Sequence, residues 1–352
     1  MGMGMGSVTI ADGLRWTSAT AYLSPPPASL TIMTDTPVAR VVFSGKRAVG
    51  IQTVAGQLIK AKKEVILSAG AINTPQLLIL SGIGPEEEVK RHGIELVRNA
   101  KVGRNLQDHA FVPVGIILKK VSATPFDPAS QSPSPMGWFK LPSLEYSSEF
   151  RSLPADVQAH MRKSNIPAIE FASHTPPVLL SDGPPTLADD EQFFGALAIL
   201  MNPQSRGTVQ LRSSNLSDAP LMDPKFLSHP FDRLAIIQGV RETMRILSAP
   251  TYQDRTVRLI GPSINATDEQ IWEYIKGNTH SSWHMAGTAR MAQNRDEGVV
   301  DAKFRVFGVE GLRVVDLSVL PELINAHTQS AAYVLGEIAA EGLAEEYGLG
   351  KH

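Results

Sequence analysis

Ser281-Ser282-Trp283-His284-Met285-Ala286-Gly287-Thr288 is followed, after a spacer, by the run Leu312-Arg313-Val314-Val315-Asp316 and then by Asn325-Ala326-His327-Thr328-Gln329. The middle run is rich in β-branched residues and reads as a strand. One histidine therefore precedes a strand and one follows it, each among small and polar neighbours. Such a pair can meet at the strand's end and move a proton, because imidazole titrates near neutrality. Either histidine alone is more often a capping or satisfied polar residue than a catalyst.

The rest of the chain supplies a second strand-and-helix unit. Glu64-Val65-Ile66-Leu67-Ser68 is a short apolar run of the buried-strand kind, and Ala69-Gly70-Ala71 lets the backbone approach a neighbour closely. Thr74 and Pro75 are expected to open a helix whose apolar face carries Leu77, Leu78 and Leu80, with Gly82 ending it. Strand, small-residue turn and helix resemble a unit of a nucleotide-binding sheet, although the same unit occurs in any α/β protein.

Composition narrows the partners. The chain has 352 residues, a formal net charge of −2 and no cysteine. That length holds one large or two ordinary domains. Scattered Lys and Arg give no footprint for nucleic acid, and the lack of cysteine excludes disulfides, thiolate metal sites and cysteine nucleophiles. No metal site is expected. No apolar run reaches the ~20 residues of a membrane span, and the opening lacks signal-peptide features, so the chain as it stands reads as cytoplasmic.

Further elements follow from pattern. Val38–Phe43 and Ala48–Val54 read as a strand pair turning at Ser44-Gly45-Lys46-Arg47. Val121 to Leu187, crowded with proline and serine, is expected to be loop-rich cover on the substrate side. Strands are expected at Phe193–Leu200, Gly207–Arg212 and Val299–Asp301. Helices are expected at Asp232–Leu247, at Asp268–Ile275 with Thr267 as cap, and from Ser330 to Tyr347 with Ala331, Val334, Leu335, Ile338 and Leu343 inward.

His284-Met285-Ala286-Gly287-Thr288 and Asn325-Ala326-His327-Thr328-Gln329 resemble the two active-site segments of the glucose-methanol-choline oxidoreductases. The two-histidine version is most similar to the fungal aryl-alcohol oxidase branch. Arg15–Leu23, Gly70-Ala71-Ile72-Asn73-Thr74-Pro75 with Ser81-Gly82-Ile83-Gly84, and Gly103-Arg104-Asn105-Leu106-Gln107-Asp108-His109 agree in kind and order. The resemblance implies an α/β fold: a partial FAD-binding Rossmann-like domain with a discontinuous substrate domain built on an antiparallel sheet. The boundaries expected are 1–110 and 284–352 for the FAD side and 111–283 for the substrate side.

The resemblance also implies a role for individual residues. His284 would be the general base in oxidation of an aromatic or allylic alcohol, with His327 orienting the hydroxyl and sharing the base's work. Val38 would meet the adenine of FAD through its backbone, Trp283 would lie beside the ring, and Asp316 and Leu317 would touch the ribityl and pyrophosphate region. Thr328 and Gln329 would offer helix N-terminal N–H groups to the flavin. Capping by Asn325 or Thr328, a turn cap at Asp316 and a core role for Val38 are equally compatible with the residues. His109 invites a covalent flavin link, which its general family motif does not assign.

Family members open with a strand, a Gly-rich turn and a helix for the ADP half. Met1-Gly2-Met3-Gly4-Met5-Gly6 follows no expected strand and precedes no expected helix, so it is not that fingerprint. A large N-terminal portion is therefore expected to be missing, and the alternatives are a truncated form that is inactive alone, one needing a partner chain or homo-oligomer, or a non-redox lyase or cyclase on the same fold.

Overall fold

The computed structural model describes residues 1–120, 135–173 and 179–349. Contact density divides the chain into two units, one of Met1–Thr34, Ala110–Asn202 and His229–His280, the other of Asp35–His109, Pro203–Ser228 and Ser281–His352. Among the described residues no helix is long and apolar enough to cross a membrane.

The first unit is built on an antiparallel sheet in the order Gly2–Met5, Pro135–Phe139, Ile169–Ser173, Glu191–Leu200, Ala110–Lys119, Thr256–Ile260. Ala110–Lys119 is an interior strand, paired on both sides, as suits a sequence apolar at nearly every position, and all but Lys119 are buried. It pairs with Glu191–Leu200 from Phe111 opposite Ile199 to Lys119 opposite Glu191. Gly115 is required there, since a Cβ would stand 2.5 Å from the Phe193 ring. The helix Pro230–Leu247 buries Ile236, Val240, Met244 and Leu247, each contributing roughly 1.5–3 kcal/mol by burial. The helix Asp268–Asn278 begins with a full capping box between Thr267 and Gln270.

Two expectations change in this unit. Gly2–Met5 is an edge strand, paired with Pro135–Trp138, and Met1–Thr34 group with this unit. Within the Pro- and Ser-rich stretch, the described residues hold two inner strands of the sheet and the helices Ser148–Arg151 and Ala155–Arg162. The prolines punctuate these elements: Pro135 opens a strand, Pro142 opens a 3₁₀ turn and Pro154 precedes a helix. Residues 121–134 and 174–178 of that stretch lie outside the described residues.

The second unit carries a parallel pair, Val65–Leu67 with Leu312–Val314. Beside it stand the hairpin Val38–Ser44 with Arg47–Thr53 and a three-stranded sheet of Arg104–Leu106, Gly207–Gln210 and Leu221–Asp223. Leu78, Ile79, Ile83, Val102, Val300 and Val314 are fully buried in its core.

The helix after Val65–Leu67 runs from Gly70 to Leu80, a turn earlier than the residue types suggest, with Ala69 as its N-cap. Thr74 and Pro75 are inside it. Pro75 has no N–H for the Ala71 carbonyl, and Thr288 Oγ1 donates to that carbonyl at 2.7 Å instead. Thr74 Oγ1 accepts from Ala69 N at 3.0 Å and donates to Asp316 Oδ2 at 2.5 Å. Val299–Asp301 forms no extended strand; Val300 makes single bridges to Met291 and Val306.

The final helix runs from Gln329 to Glu346. Of its expected inward face, Val334 is 55% exposed and Ile338 52%, whereas Ala339 is buried. Ala331, Leu335 and Leu343 of that face are half-buried, Leu335 against the unit's core, so the expected face is covered only in part.

Candidate active site

All the site residues belong to the second unit. The segment Gly103–His109 is the frame on which both histidine segments are hung. Gln107 exchanges backbone hydrogen bonds with Ala286, N to O at 3.0 and 2.9 Å, and Gly103 N donates to Thr288 O at 2.8 Å. Asn105 adopts φ +63° and donates from Nδ2 to Gly287 O at 3.2 Å. Gly287, at φ +83°, passes so near Asn105 O that a Cβ would sit 2.8 Å from it.

Asp108 fixes the turn that carries His284. Its Oδ1 accepts from His284 N at 2.9 Å and its Oδ2 accepts from Ser281 Oγ. Ser281 Oγ in turn accepts from Trp283 N at 2.9 Å, and Trp283 takes φ +57° with its indole 67% exposed. Burial pushes the Asp108 carboxyl up to about 6, against the opposing pull of its hydrogen bonds from Ser281 and the His284 backbone.

His284 and His327 come together as the sequence suggests, ring centroids 5.0 Å apart and tilted by 54°. A third ring joins them. His109 is fully buried, its Nδ1 lies 2.9 Å from His284 Nδ1, and the two rings meet edge to face at 88°. Burial, and secondarily the neighbouring His327, lower the His284 pKa to about 4, so the ring is neutral at pH 7 and able to accept a proton.

The second histidine segment is aligned along the first. Gly287 N donates to Leu317 O, Ala289 N to Ser318 O and Met291 N to Val319 O, at 3.1, 2.8 and 2.8 Å. Gln107, buried, donates from Nε2 to Pro321 O and accepts from Leu323 N, both at 3.2 Å. The loop leading to His327 is thereby clamped.

Asp316 is occupied by the fold. Its Oδ2 accepts from Gly70 N at 2.9 Å and from Thr74 Oγ1, and its Oδ1 accepts from Ser318 N at 2.7 Å. It thus links the end of one parallel strand to the helix that follows the other. Leu317 begins the 3₁₀ turn after it. Val38 opens the hairpin strand, half-buried against the unit's core.

The flavin implied by the resemblance is compatible with these residues. Thr328 starts the final helix with φ −76° and ψ −8° and makes no side-chain cap, so its own hydroxyl does not take the first N–H groups of the helix. Ser282 Oγ, Ser318 Oγ and Asn325 Oδ1 are buried without a hydrogen-bond partner among the described residues. A helix N-terminus with polar atoms close in sequence suits a polar, anion-bearing cofactor. Thr328, Gln329, Asn325 and Ser318 are residues that could hold it.

The frame residues Gln107, Asp108 and His109 escape a reading centred on the two histidines. Their only signal is the motif Gly103–His109 itself, and spacing alone does not connect it to His284, 175 positions away.

Comparisons with known proteins follow the same outline. Two models described as GMC oxidoreductase match, the N-terminal one residues 1–111 and the C-terminal one residues 203–336. The alcohol dehydrogenase [acceptor] of Pseudomonas putida is 34% identical over 97% of this chain and 63% of its own length. The choline oxidase of Arthrobacter globiformis is 32% identical over 94% and 59%. Among solved structures, a formate oxidase of Aspergillus oryzae RIB40, studied for FAD modification, superposes with a TM-score of 0.84 at 25% identity, over 99% of this chain and 66% of that one. A fungal aryl-alcohol oxidase gives 0.72 at 28%, over 89% and 60%. The chain thus spans about three-fifths of the length of these curated relatives.

Proposed function

The chain belongs to the GMC oxidoreductase family, and from that premise we propose that it serves in the FAD-dependent oxidation of an alcohol, with His284 as general base and His327 as its partner at the hydroxyl. The observation that carries the reading is the neutral His284 ring, depressed to about 4 and 5.0 Å from His327. FAD, when bound, accepts the hydride from the alcohol carbon. His284 takes the hydroxyl proton, since only a neutral imidazole offers a lone pair for it. His327 donates to or accepts from the same oxygen and orients it.

An aromatic or allylic alcohol is the substrate class we favour, because such a carbon releases hydride most readily and a fungal aryl-alcohol oxidase shares the fold. The names of the curated relatives point to alcohols in general and to choline. Val38, Trp283, Asp316, Leu317, Thr328 and Gln329 are proposed as the flavin side of the site. Asp316 would act there by setting the Leu317 backbone, as its carboxylate is engaged elsewhere.

A second reading is favoured by the exposed apolar residues of the same unit. Val334 and Ile338 on the final helix and Ile66 on the parallel strand are all more than two-fifths exposed, which suits cover by a further polypeptide segment or partner chain.

The test is direct. The chain is incubated with FAD, freed of excess and mixed anaerobically with benzyl alcohol, choline or a short aliphatic alcohol. Bleaching of retained flavin by an alcohol supports oxidation; retained flavin that no alcohol bleaches counts against it. A chain that retains flavin only with a second polypeptide supports the partner reading.

A further inference from the structure

We propose that His109 is the positioning residue for His284, holding its ring in the one neutral tautomer whose Nε2 is open to receive a proton; this rests on the reading of His284 as the base. The two Nδ1 atoms are 2.9 Å apart with the rings at 88°. At that distance they share one proton, since two facing N–H groups repel and two facing lone pairs do not bond. One ring donates and the other accepts.

The choice decides the chemistry. If His109 donated, the proton of neutral His284 would sit on Nε2, and the ring would present a donor where a base is required. If His284 donates, its Nε2 carries the lone pair. On taking a proton at Nε2, the ring becomes a cation whose Nδ1–H still points at the His109 lone pair, and that bond strengthens as its donor becomes charged. Only this arrangement survives proton uptake unbroken.

The surroundings hold the two rings against each other. His109 is 0% exposed, its carbonyl accepts from Ser282 N at 3.0 Å, and Asp108 next to it holds His284 N at 2.9 Å. Two consecutive residues therefore grip the backbone and the ring of His284 at once. The role parallels that of the carboxylate that orients a catalytic histidine in hydrolytic triads, but with a neutral acceptor. A neutral acceptor raises the proton affinity of its donor less, which fits a buried base whose pKa stays well below the ordinary histidine value.

The test is histidine ¹⁵N NMR on the full chain without flavin, with His284 assigned by His284→Gln. At neutral pH the unaltered chain should show His284 protonated at Nδ1 and bare at Nε2; a proton on Nε2 overturns the proposal. His109→Gln retains an acceptor oxygen and should preserve that tautomer. His109→Leu should mix the tautomers and move the His284 pKa further down; a rise would mean that His109 had been the donor, and would overturn it. If His109→Leu fails to fold, the unaltered chain and His109→Gln still decide. With FAD and a competent alcohol, His109→Leu should lower kcat on the order of tenfold while leaving KM nearly unchanged. The predicted tautomer without alcohol turnover would count against the oxidation reading and leave the role of His109 standing.

Discussion

Asp108 accepts the backbone N–H of His284 at 2.9 Å, and burial moves the titrations of these two residues in opposite directions. The Asp108 carboxyl rises to about 6 and the His284 ring falls to about 4. Between those values the folded chain keeps a proton on Asp108 that the unfolded chain releases. Over the same range it lacks a proton on His284 that the unfolded chain binds.

Stability follows from these proton counts. Asp108, raised, contributes stability below its unfolded value of about 3.9 that is lost as pH rises through 6. His284, depressed, contributes stability above its unfolded value of about 6.5 that is lost as pH falls toward 4. The two slopes oppose each other from about pH 4 to 6, so the pair's net contribution should be nearly flat there. Asp108→Asn removes one slope and exposes the other. The unfolding free energy of that variant, from urea titrations, should climb from pH 4 to 6.5, by on the order of 3 kcal/mol at most; the same flat profile in variant and parent would mean that His284 titrates normally.

His284→Ala should lower the rate of flavin reduction by an alcohol on the order of 10²-fold or more, measured by anaerobic stopped flow. Flavin retention should stay near that of the parent. Near-normal reduction would remove His284 from the role of base. His327→Asn should cost less, because it leaves the proton acceptor in place. The acidic limb of its rate profile should move upward, since His327 helps to depress the His284 pKa.

What the sequence reveals depends on how local the cause is. The hairpin at Val38–Ser44, the Thr267 capping box and the approach of His284 to His327 were readable because turn residues, caps and a motif lie close together along the chain. The inner strands at Pro135–Phe139 and Ile169–Ser173 were not, because each is five residues long and bounded by prolines that also signal loops. Thr74 and Pro75 have the residue types of a helix start, yet the helix begins at Gly70 because Thr288 and Asp316, more than 200 positions away, satisfy the groups that a start there would leave open. The contact of His109 with His284 is equally remote in sequence, and so is the clamp of Gln107 on the His327 loop. Long-range hydrogen bonds leave no periodic trace.

Thr288 and Pro75 should be energetically coupled. Thr288→Val removes the donor to the Ala71 carbonyl, which Pro75 leaves without its helical partner, and should cost about 1–3 kcal/mol as a buried acceptor loses its bond. In a Pro75→Ala background, residue 75 regains an N–H for that carbonyl, and the same change at Thr288 should cost less. A double-mutant cycle by urea unfolding measures the difference. Equal costs in both backgrounds would show that Thr288 does not act through the helix.

Arg313 ties the parallel strand to the last turn of the final helix. It is 5% exposed, with Nε on Glu64 Oε2 at 2.6 Å, Nη2 on Glu346 Oε2 at 2.8 Å and Nη1 on Lys303 O at 2.8 Å. Tyr347 Oη also donates to Glu64, at 2.5 Å. Arg313→Met would keep much of the side-chain volume and leave the nearly buried Glu64 carboxylate without its cation, a loss of about 3–5 kcal/mol. Pairing the change with Glu64→Gln removes the stranded charge and should recover much of that loss. Because these bonds hold Glu346 and Tyr347 at the end of the helix, amide exchange in Arg313→Met should accelerate most over the C-terminal turns of the helix while the Gly70–Leu80 helix stays protected. Uniform acceleration across the second unit would instead mean that Arg313 supports the whole core.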